Sequence, residues 1–333
     1  MLFKTRNFDD AKTVLTVQDL TVSLPPAAKA PPVLNRINLT IRAGETVCLV
    51  GESGSGKSVT SLAIMGLLPK DALFVTGGKI TLSDTDLLAQ PASAMQDIRA
   101  RRVAMIFQEP MTALNPVMRV GDQIEEVLES HTSLSADERR KRVIDIMEQV
   151  HLPDVERIHR SYPHQLSGGQ RQRIMIAMAL VLEPELLIAD EPTTALDVTV
   201  QANLLALLAD LRRDMGVAIV LITHDLGVVA QVCDRTLVLY GGQSMELGPT
   251  ASVIGQPIHP YTQGLLAARP RWEGDRTAPL AALPGHPPDL ADLPQGCPFA
   301  ARCPEAQAHC VQRRSLLRNV GDRVVACHLR GQD

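Results

Sequence analysis

The tightest constraint in this chain lies at residues 46–65. Thr46-Val47-Cys48-Leu49-Val50 is a short, β-rich apolar run. It passes without a break into Gly51-Glu52-Ser53-Gly54-Ser55-Gly56-Lys57-Ser58, and VTSLAIMGLL then reads as a helix. A buried strand, a G-x-x-x-x-G-K-S loop and a helix in that order make a phosphate cradle. The glycines let backbone N–H groups turn inward, at a helix N-terminus whose partial positive charge favours anions. Lys57 is spaced to reach the β- and γ-phosphates, and the Ser58 hydroxyl to ligate Mg²⁺. The expected nucleotide contacts are therefore Gly51, Glu52, Ser53, Gly54, Ser55, Gly56, Lys57, Ser58 and Val59.

With 333 residues and 45% hydrophobic content, the chain can bury a sizeable core, and its length suggests roughly two domains. Lys+Arg of 33 against Asp+Glu of 37 leaves a net charge of −4, so the global basic field of a non-specific nucleic-acid binder is missing. Aromatics at 3% argue further against base-stacking platforms. The longest apolar runs, Ile174–Leu182 and Val217–Ile222, fall short of the ~20 residues of a membrane span. MLFKTRNFDD contains no apolar stretch of a signal peptide. The expectation is a globular protein on the cytosolic side that does not itself cross a membrane.

From Val14 to about Leu247 strand-like and helix-like segments alternate, which indicates α/β architecture. Leu186–Ala189 reads as a second buried parallel strand. Ser135 and Glu138 form a capping box for a helix running to Val150, with Val143, Met147 and Val150 on one face. Gln201–Arg213 is helical, stopped by Met215-Gly216, and the strand Val217–Thr223 follows. Asp190-Glu191 ends the second apolar strand. There Asp190 is placed to hold Mg²⁺ and Glu191 to act as general base on the attacking water. One strand later, Thr223-His224-Asp225 brings His224 to the same crevice as a γ-phosphate contact. Gln108, after the run Val103–Phe107, is a candidate for water or Mg²⁺ contact by the same geometry.

After Pro249 the chain changes character. Eleven of its 23 prolines fall between Pro249 and Pro304, which excludes long regular elements there. Cys48 and Cys233 sit in apolar stretches as buried, inert thiols. Cys297, Cys303, Cys310 and Cys327, spaced C-x5-C-x6-C-x16-C, crowd into the last 37 residues. Without a secretion signal such clustering favours a metal site over disulfides. Four thiolates suit zinc, although the short C-x2–4-C knuckle common in structural zinc sites does not occur. His309 and His328 each adjoin a cysteine, so a mixed site is also open.

Between Gln108 and Asp190 lies Leu166-Ser167-Gly168-Gly169-Gln170, followed by RQRIMIAMAL. With this segment in place the chain resembles the ATP-binding subunits of ABC transporters over residues 14 to 250. The Walker A loop is 51–58, the Q-loop glutamine Gln108, the signature Leu166–Gln170, and Walker B Leu186–Asp190 with Glu191. The D-loop is Ala195-Leu196-Asp197 and the switch histidine His224. The resemblance implies an α/β P-loop ABC ATPase, with a RecA-like core sheet, an antiparallel β subdomain and a helical insertion at about 108–180, over residues 1–250. A small loop-rich C-terminal cysteine domain would occupy 251–333. It also implies a head-to-tail pair of subunits, each ATP held between one subunit's phosphate loop and the other's signature. Ser167 and the Gly168-Gly169 amides, at a helix N-terminus, form a second anion site that agrees with this. One element departs from the family. Where an adenine-stacking aromatic is expected, the chain has Ser23-Leu24-Pro25, and Leu24 offers only an apolar contact.

FQEPMTALNP (107–116), YPHQLSGGQRQR (162–173), EPTTALDVTVQ (191–201), HPYTQGLL (259–266) and CPFAARCPEAQAHC look like the oligopeptide, dipeptide and nickel importer branch. That likeness implies a second, non-identical ATPase subunit, two membrane permease subunits whose coupling helix docks after Gln108, and an extracytoplasmic solute-binding protein, with no nucleic acid. It places the subunit on the cytoplasmic face of the inner membrane. It further implies a [4Fe–4S] cluster on Cys297, Cys303, Cys310 and Cys327, zinc being the alternative. Cargo other than peptide, such as nickel or an opine, stays open, because this subunit does not touch cargo. An ABC ATPase of DNA repair or translation is disfavoured: there is one cassette, no heptad arm and no basic patch.

Overall fold

The computed structural model describes residues 8, 10–26, 30–107, 113–193, 197–268, 282–289 and 293–330. Its strands are, in chain order, β1 (Thr13–Ser23), β2 (Leu34–Arg42), β3 (Thr46–Val50), β4 (Phe74–Leu82), β5 (Thr85–Asp86), β6 (Val103–Ile106), β7 (Leu186–Asp190), β8 (Ala218–Ile222), β9 (Arg235–Tyr240), β10 (Gln243–Pro249), β11 (Arg318–Val320) and β12 (Arg323–Val325). They form two sheets. The first is antiparallel, in the order β2-β1-β4-β5. The second has eight strands in the order β11-β12-β10-β9-β3-β8-β7-β6. Its centre is parallel: β3 pairs with both β9 and β8, β8 with β7, and β7 with β6.

The continuous apolar runs of β3, β7 and β8 follow from burial on both faces. Leu186 and Ile188 of β7, with Ala218, Val220 and Ile222 of β8, join a core shared with the antiparallel sheet and the Lys57–Met65 helix. Leu187, Ala189, Ile219 and Leu221 face the opposite way. They pack under a helical layer made of Val120–His131, Ala136–Gln149, Val155–His159 and Gly168–Leu180. The capping box at Ser135 is present, with Glu138 N donating to Ser135 Oγ and Ser135 N to Glu138 Oε2 at 2.8 Å. Val143, Met147 and Val150 are buried as the periodicity requires.

A third core covers the other side of β3 and β9. Cys48 and Val50 of β3 and Val238 and Tyr240 of β9 pack against Val253, Tyr261 and Phe299 from the segment after Pro249. The change of composition at Pro249 is therefore not the start of a detached appendage. The last strands also return to the large sheet, where β12 pairs with β10 through Glu246↔Val325 and Leu247↔Val324. Short helices, Thr250–Gly255 and Pro260–Ala267, accompany the proline-rich stretch. The helix expected at Gln201–Arg213 is longer, Val198–Met215, because the Asp197 carboxylate accepts from Val200 N at 2.9 Å and caps it early.

Candidate nucleotide site

The end of β3 meets the β9–β10 hairpin at close quarters. A Cβ on Gly51 would lie 2.2 Å from the Leu239 carbonyl oxygen, so only glycine lets strand and hairpin approach this far. Gly242 lies in the turn after Tyr240 with φ of 69°, and a Cβ there would sit 1.9 Å from the Val33 carbonyl oxygen. Its N–H donates to the Ser55 carbonyl at 3.1 Å, fixing the loop from below.

Inside the loop, Lys57 is buried and folds back on it. Its Nζ donates to the carbonyls of Gly51 at 2.8 Å and Glu52 at 2.9 Å. Burial lowers its pKa from the ordinary ammonium value, while Glu191 and Asp190 oppose the shift. Ser53, Gly54 and Ser58 face solvent, whereas Gly51, Ser55 and Gly56 are buried. The loop thus presents an open mouth over a rigid floor, as a phosphate cradle requires.

Asp190, at the end of β7, is 6% exposed, and burial raises its pKa against a hydrogen bond from Ser58. Its Oδ1 is buried without a hydrogen-bond partner. A buried carboxylate with an unsatisfied oxygen beside a hydroxyl fits the hard oxygen-ligand chemistry of Mg²⁺. Glu191 follows with φ of 46°, a left-handed conformation rare for a side chain larger than glycine. Its N–H donates to the Ile222 carbonyl at 2.9 Å, so the β7–β8 pairing holds it there. Its Oε1 lies 3.4 Å from Nδ1 of His224, which stands two residues after β8 and is largely exposed. Asp225 next to it caps a short helix, accepting from Gly227 N at 2.7 Å. Lys57, Asp190, Glu191 and His224 are thus brought together at the carboxyl ends of three neighbouring strands, β3, β8 and β7.

The signature segment stands at the start of the Gly168–Leu180 helix. Gln170 N donates to Ser167 Oγ at 3.3 Å and Ser167 N to Gln170 Oε1 at 3.0 Å, a second capping box. Leu166 is buried, Ser167 and Gly168 are exposed, and a Cβ at Gly168 would meet nothing within 4 Å. From the same helix Gln172 Nε2 donates to the Pro192 carbonyl at 2.8 Å, tying it to the segment after Glu191. Asp197 is exposed and used as a cap. Gln108, and Ala195 and Leu196 of the expected D-loop, lie outside the described residues.

Two contacts on the phosphate loop come from residues that sequence reading did not single out. Glu52 N donates to Tyr261 Oη at 2.9 Å, and its carboxylate pairs with Arg302 at 2.6 Å. Both stand in segments quoted for the resemblance, HPYTQGLL and CPFAARCPEAQAHC, but nothing local ties them to a loop more than 200 residues away in the chain. Tyr240 and Tyr261 are fully buried and packed on each other, with ring centroids 4.5 Å apart, so neither is placed to stack on an adenine. Tyr162 stacks on His164. Leu24 follows β1 and is partly buried.

In the tail, Cys297, Cys303, Cys310 and Cys327 line one cavity of about 20 Å³ together with His259 and His328. All four are free thiols. Burial pushes Cys297 up to about 11 and also raises Cys303 and Cys327. Among the described residues no group of three or more His, Cys, Asp or Glu is arranged to hold a metal ion. No helix among them is long and apolar enough to cross a membrane.

Comparison with known proteins gives this geometry its relatives. Residues 34–194 match the ABC transporter family, and residues 245–310 match the oligopeptide/dipeptide transporter C-terminal region. The chain is 47% identical over 317 residues to the oligopeptide transport ATP-binding protein OppD of Salmonella typhimurium, covering 95% of this chain and 94% of that one. It is 49% identical over 297 residues to the dipeptide transport ATP-binding protein DppD of Bacillus subtilis, covering 89% and 88%. Among solved structures, the ATP-binding cassette MJ0796, dimeric in a post-hydrolysis state with ADP and Pi, superposes with a TM-score of 0.62 at 28% identity, over 71% of this chain and 98% of that one. The cradle, the strand-end carboxylates and these likenesses agree: the fold is that of a P-loop ABC ATPase, and the chain belongs to the ABC transporter family of ATP-binding subunits.

Proposed function

We infer that the chain is the ATP-binding and hydrolysing subunit that powers an ABC importer of di- and oligopeptides. The observation carrying this reading is the convergence of Lys57, Asp190, Glu191 and His224 at three adjacent strand ends, in a chain whose tail matches the oligopeptide/dipeptide transporter region. The amides of Gly51 to Lys57 and the Lys57 ammonium hold the phosphates, with Val59 in the first helical turn behind them. Ser58 and Asp190 would hold Mg²⁺, with Gln108 as a further contact. When bound there, Mg²⁺ would supply charge neutralisation of the triphosphate. Glu191 accepts the proton of the attacking water, and His224, beside it at 3.4 Å, contacts the γ-phosphate. The Ser167–Gln170 segment, exposed at Ser167 and Gly168, supplies the second anion site to a partner's nucleotide, and Asp197 is also exposed. Hydrolysis is therefore slow in the isolated subunit and completed by pairing.

The partners are a second, non-identical ATPase subunit, two permease subunits and an extracytoplasmic solute-binding protein. The subunit itself works peripherally on the cytoplasmic face of the inner membrane. Co-expression with the permease subunits is expected to move it into the membrane fraction. In proteoliposomes of the assembled complex, peptide-loaded binding protein should stimulate ATP hydrolysis several-fold. Stimulation by nickel or an opine but not by peptide would overturn the cargo assignment. Recovery in the membrane fraction without permeases would overturn the peripheral one.

The small C-terminal cysteine domain, residues 251–333, is read as a metal-carrying module on Cys297, Cys303, Cys310 and Cys327. The donor set is in its favour: four free thiols, Cys297, Cys303, Cys310 and Cys327, line one cavity. A volume of about 20 Å³ is that of roughly one water, so a cluster needs the cavity walls to move outward. Resemblance to the importer branch favours [4Fe–4S] over zinc. Anaerobic purification should give a brown protein with absorbance near ~400 nm, containing iron and sulfide, that bleaches in Cys303→Ser. A colourless protein with one zinc would overturn the cluster.

A further inference from the structure

The mechanism above uses Glu52 only as part of the cradle, yet its side chain is engaged elsewhere. Arg302 Nη1 donates to Glu52 Oε2 at 2.6 Å and Nη2 to Oε1 at 3.1 Å, a two-pronged pair across 250 residues of sequence. Such a fork fixes orientation as well as charge. Arg302 is 8% exposed and is itself held from three sides. Its Nε donates to the Pro284 carbonyl at 2.8 Å, its Nη1 also donates to Tyr240 Oη at 3.0 Å, and its guanidinium lies 5.7 Å from the Tyr240 ring centroid. The backbone under it is a tight turn: Ala300 N donates to the Cys297 carbonyl at 3.0 Å, and Cys303 N to the Ala300 carbonyl at 3.3 Å.

The same loop residue is gripped through its peptide. Glu52 N donates to Tyr261 Oη, while the Glu52 carbonyl accepts from Lys57. Tyr261, Tyr240 and Phe299 form one buried aromatic cluster, with centroids 4.5 and 5.3 Å apart, so both grips are anchored in one rigid body. The charge balance matters too. A carboxylate in a polyanion-binding loop repels the ligand unless a cation neutralises it, and the tail supplies that cation.

We propose that Arg302, with Tyr261, is a positioning residue for nucleotide binding: the C-terminal tail clamps the phosphate loop from behind and neutralises Glu52, so that loop conformation and ATP affinity depend on the tail. This rests on the ATP-binding reading above. Two readouts separate the clamp from that reading, one needing nucleotide and one not.

Amide hydrogen exchange over residues 51–57 without nucleotide reads the loop directly. It should be faster in Arg302→Gln than in the parent, and unchanged exchange would overturn the clamp whether or not ATP binds. Titration of Mg-ATP should show affinity about tenfold weaker in Arg302→Gln, as expected when one member of a charge-assisted pair is lost beside the ligand. In the assembled complex KM should rise while kcat stays within about twofold. Adding Glu52→Gln to Arg302→Gln should cause no further loss, since the pair acts as a unit. Independent, additive losses would overturn the proposal. Arg330→Gln serves as the control, because it breaks the Arg330–Glu305 pair at 2.7 Å elsewhere in the tail. It should leave loop exchange and affinity at parent values, and an equal loss there would mean general tail damage and overturn the clamp. If Arg302→Gln does not fold, Arg302→Lys decides. A folded variant with weakened affinity supports the clamp, and one with parent affinity and exchange overturns it.

Discussion

Replacement of Glu191 by Gln is expected to lower ATP turnover of the assembled complex by about 10²–10⁴-fold while leaving Mg-ATP binding intact. The side chain keeps its length and shape but can no longer accept a proton from water. The backbone argument points the same way. Glu191 is held at φ of 46° by a hydrogen bond from its own N–H to Ile222, and Gln meets the same conformational cost as Glu. The loss is thus confined to chemistry at Oε1, 3.4 Å from His224. With hydrolysis blocked and both anion sites intact, an ATP-bound dimer should accumulate on size-exclusion chromatography. Phosphate release at the parent rate would show that Glu191 is not the base.

Lys57→Ala should act on the earlier step. Nζ is the buried cation of the loop, and it also ties the Gly51 and Glu52 carbonyls together at 2.8 and 2.9 Å. Removing it withdraws a charge from the phosphates and leaves Asp190 and Glu191, which oppose the lowering of its pKa, without that counter-charge. Loss of one partner from a buried charged contact costs about 2–5 kcal/mol, which is roughly 30-fold to several thousand-fold in Kd. Calorimetric titration should show that loss directly. A Kd within about threefold of the parent would place the phosphates elsewhere. The two variants differ in kind: one binds without turning over, and the other scarcely binds.

Much of the site was legible because its signals are local. The glycines of 51–56, Lys57 and Ser58 stand within one loop whose conformation needs those residues in that order. Asp190, Glu191 and His224 could be placed because apolar runs buried on both faces end where they begin. Ser135 announced a helix start through a box closed within three residues. The early start of the Val198–Met215 helix was missed for a corresponding reason. Val198 is 83% exposed, so the apolar periodicity begins only later, and Asp197 alone marks the start.

What lay beyond sequence reading is the relation of the tail to the rest. The drop in regular structure after Pro249 suggested a separate unit, and composition does show that the segment cannot build a core of its own. It cannot show where the segment finds one. Val238 and Tyr240 demand a cover on the far face of β9, but many apolar residues could meet that demand, and only packing selects Val253, Tyr261 and Phe299. Gly51, Lys57, Asp190 and Glu191 were therefore determined by the sequence alone, because motif and strand-end position are properties of neighbouring residues. The clasp of Arg302 and Tyr261 on Glu52, and the return of β12 to the edge of β10, were decided by tertiary structure. Both depend on contacts across more than 70 residues, where shape and charge complementarity leave no periodic trace in the chain.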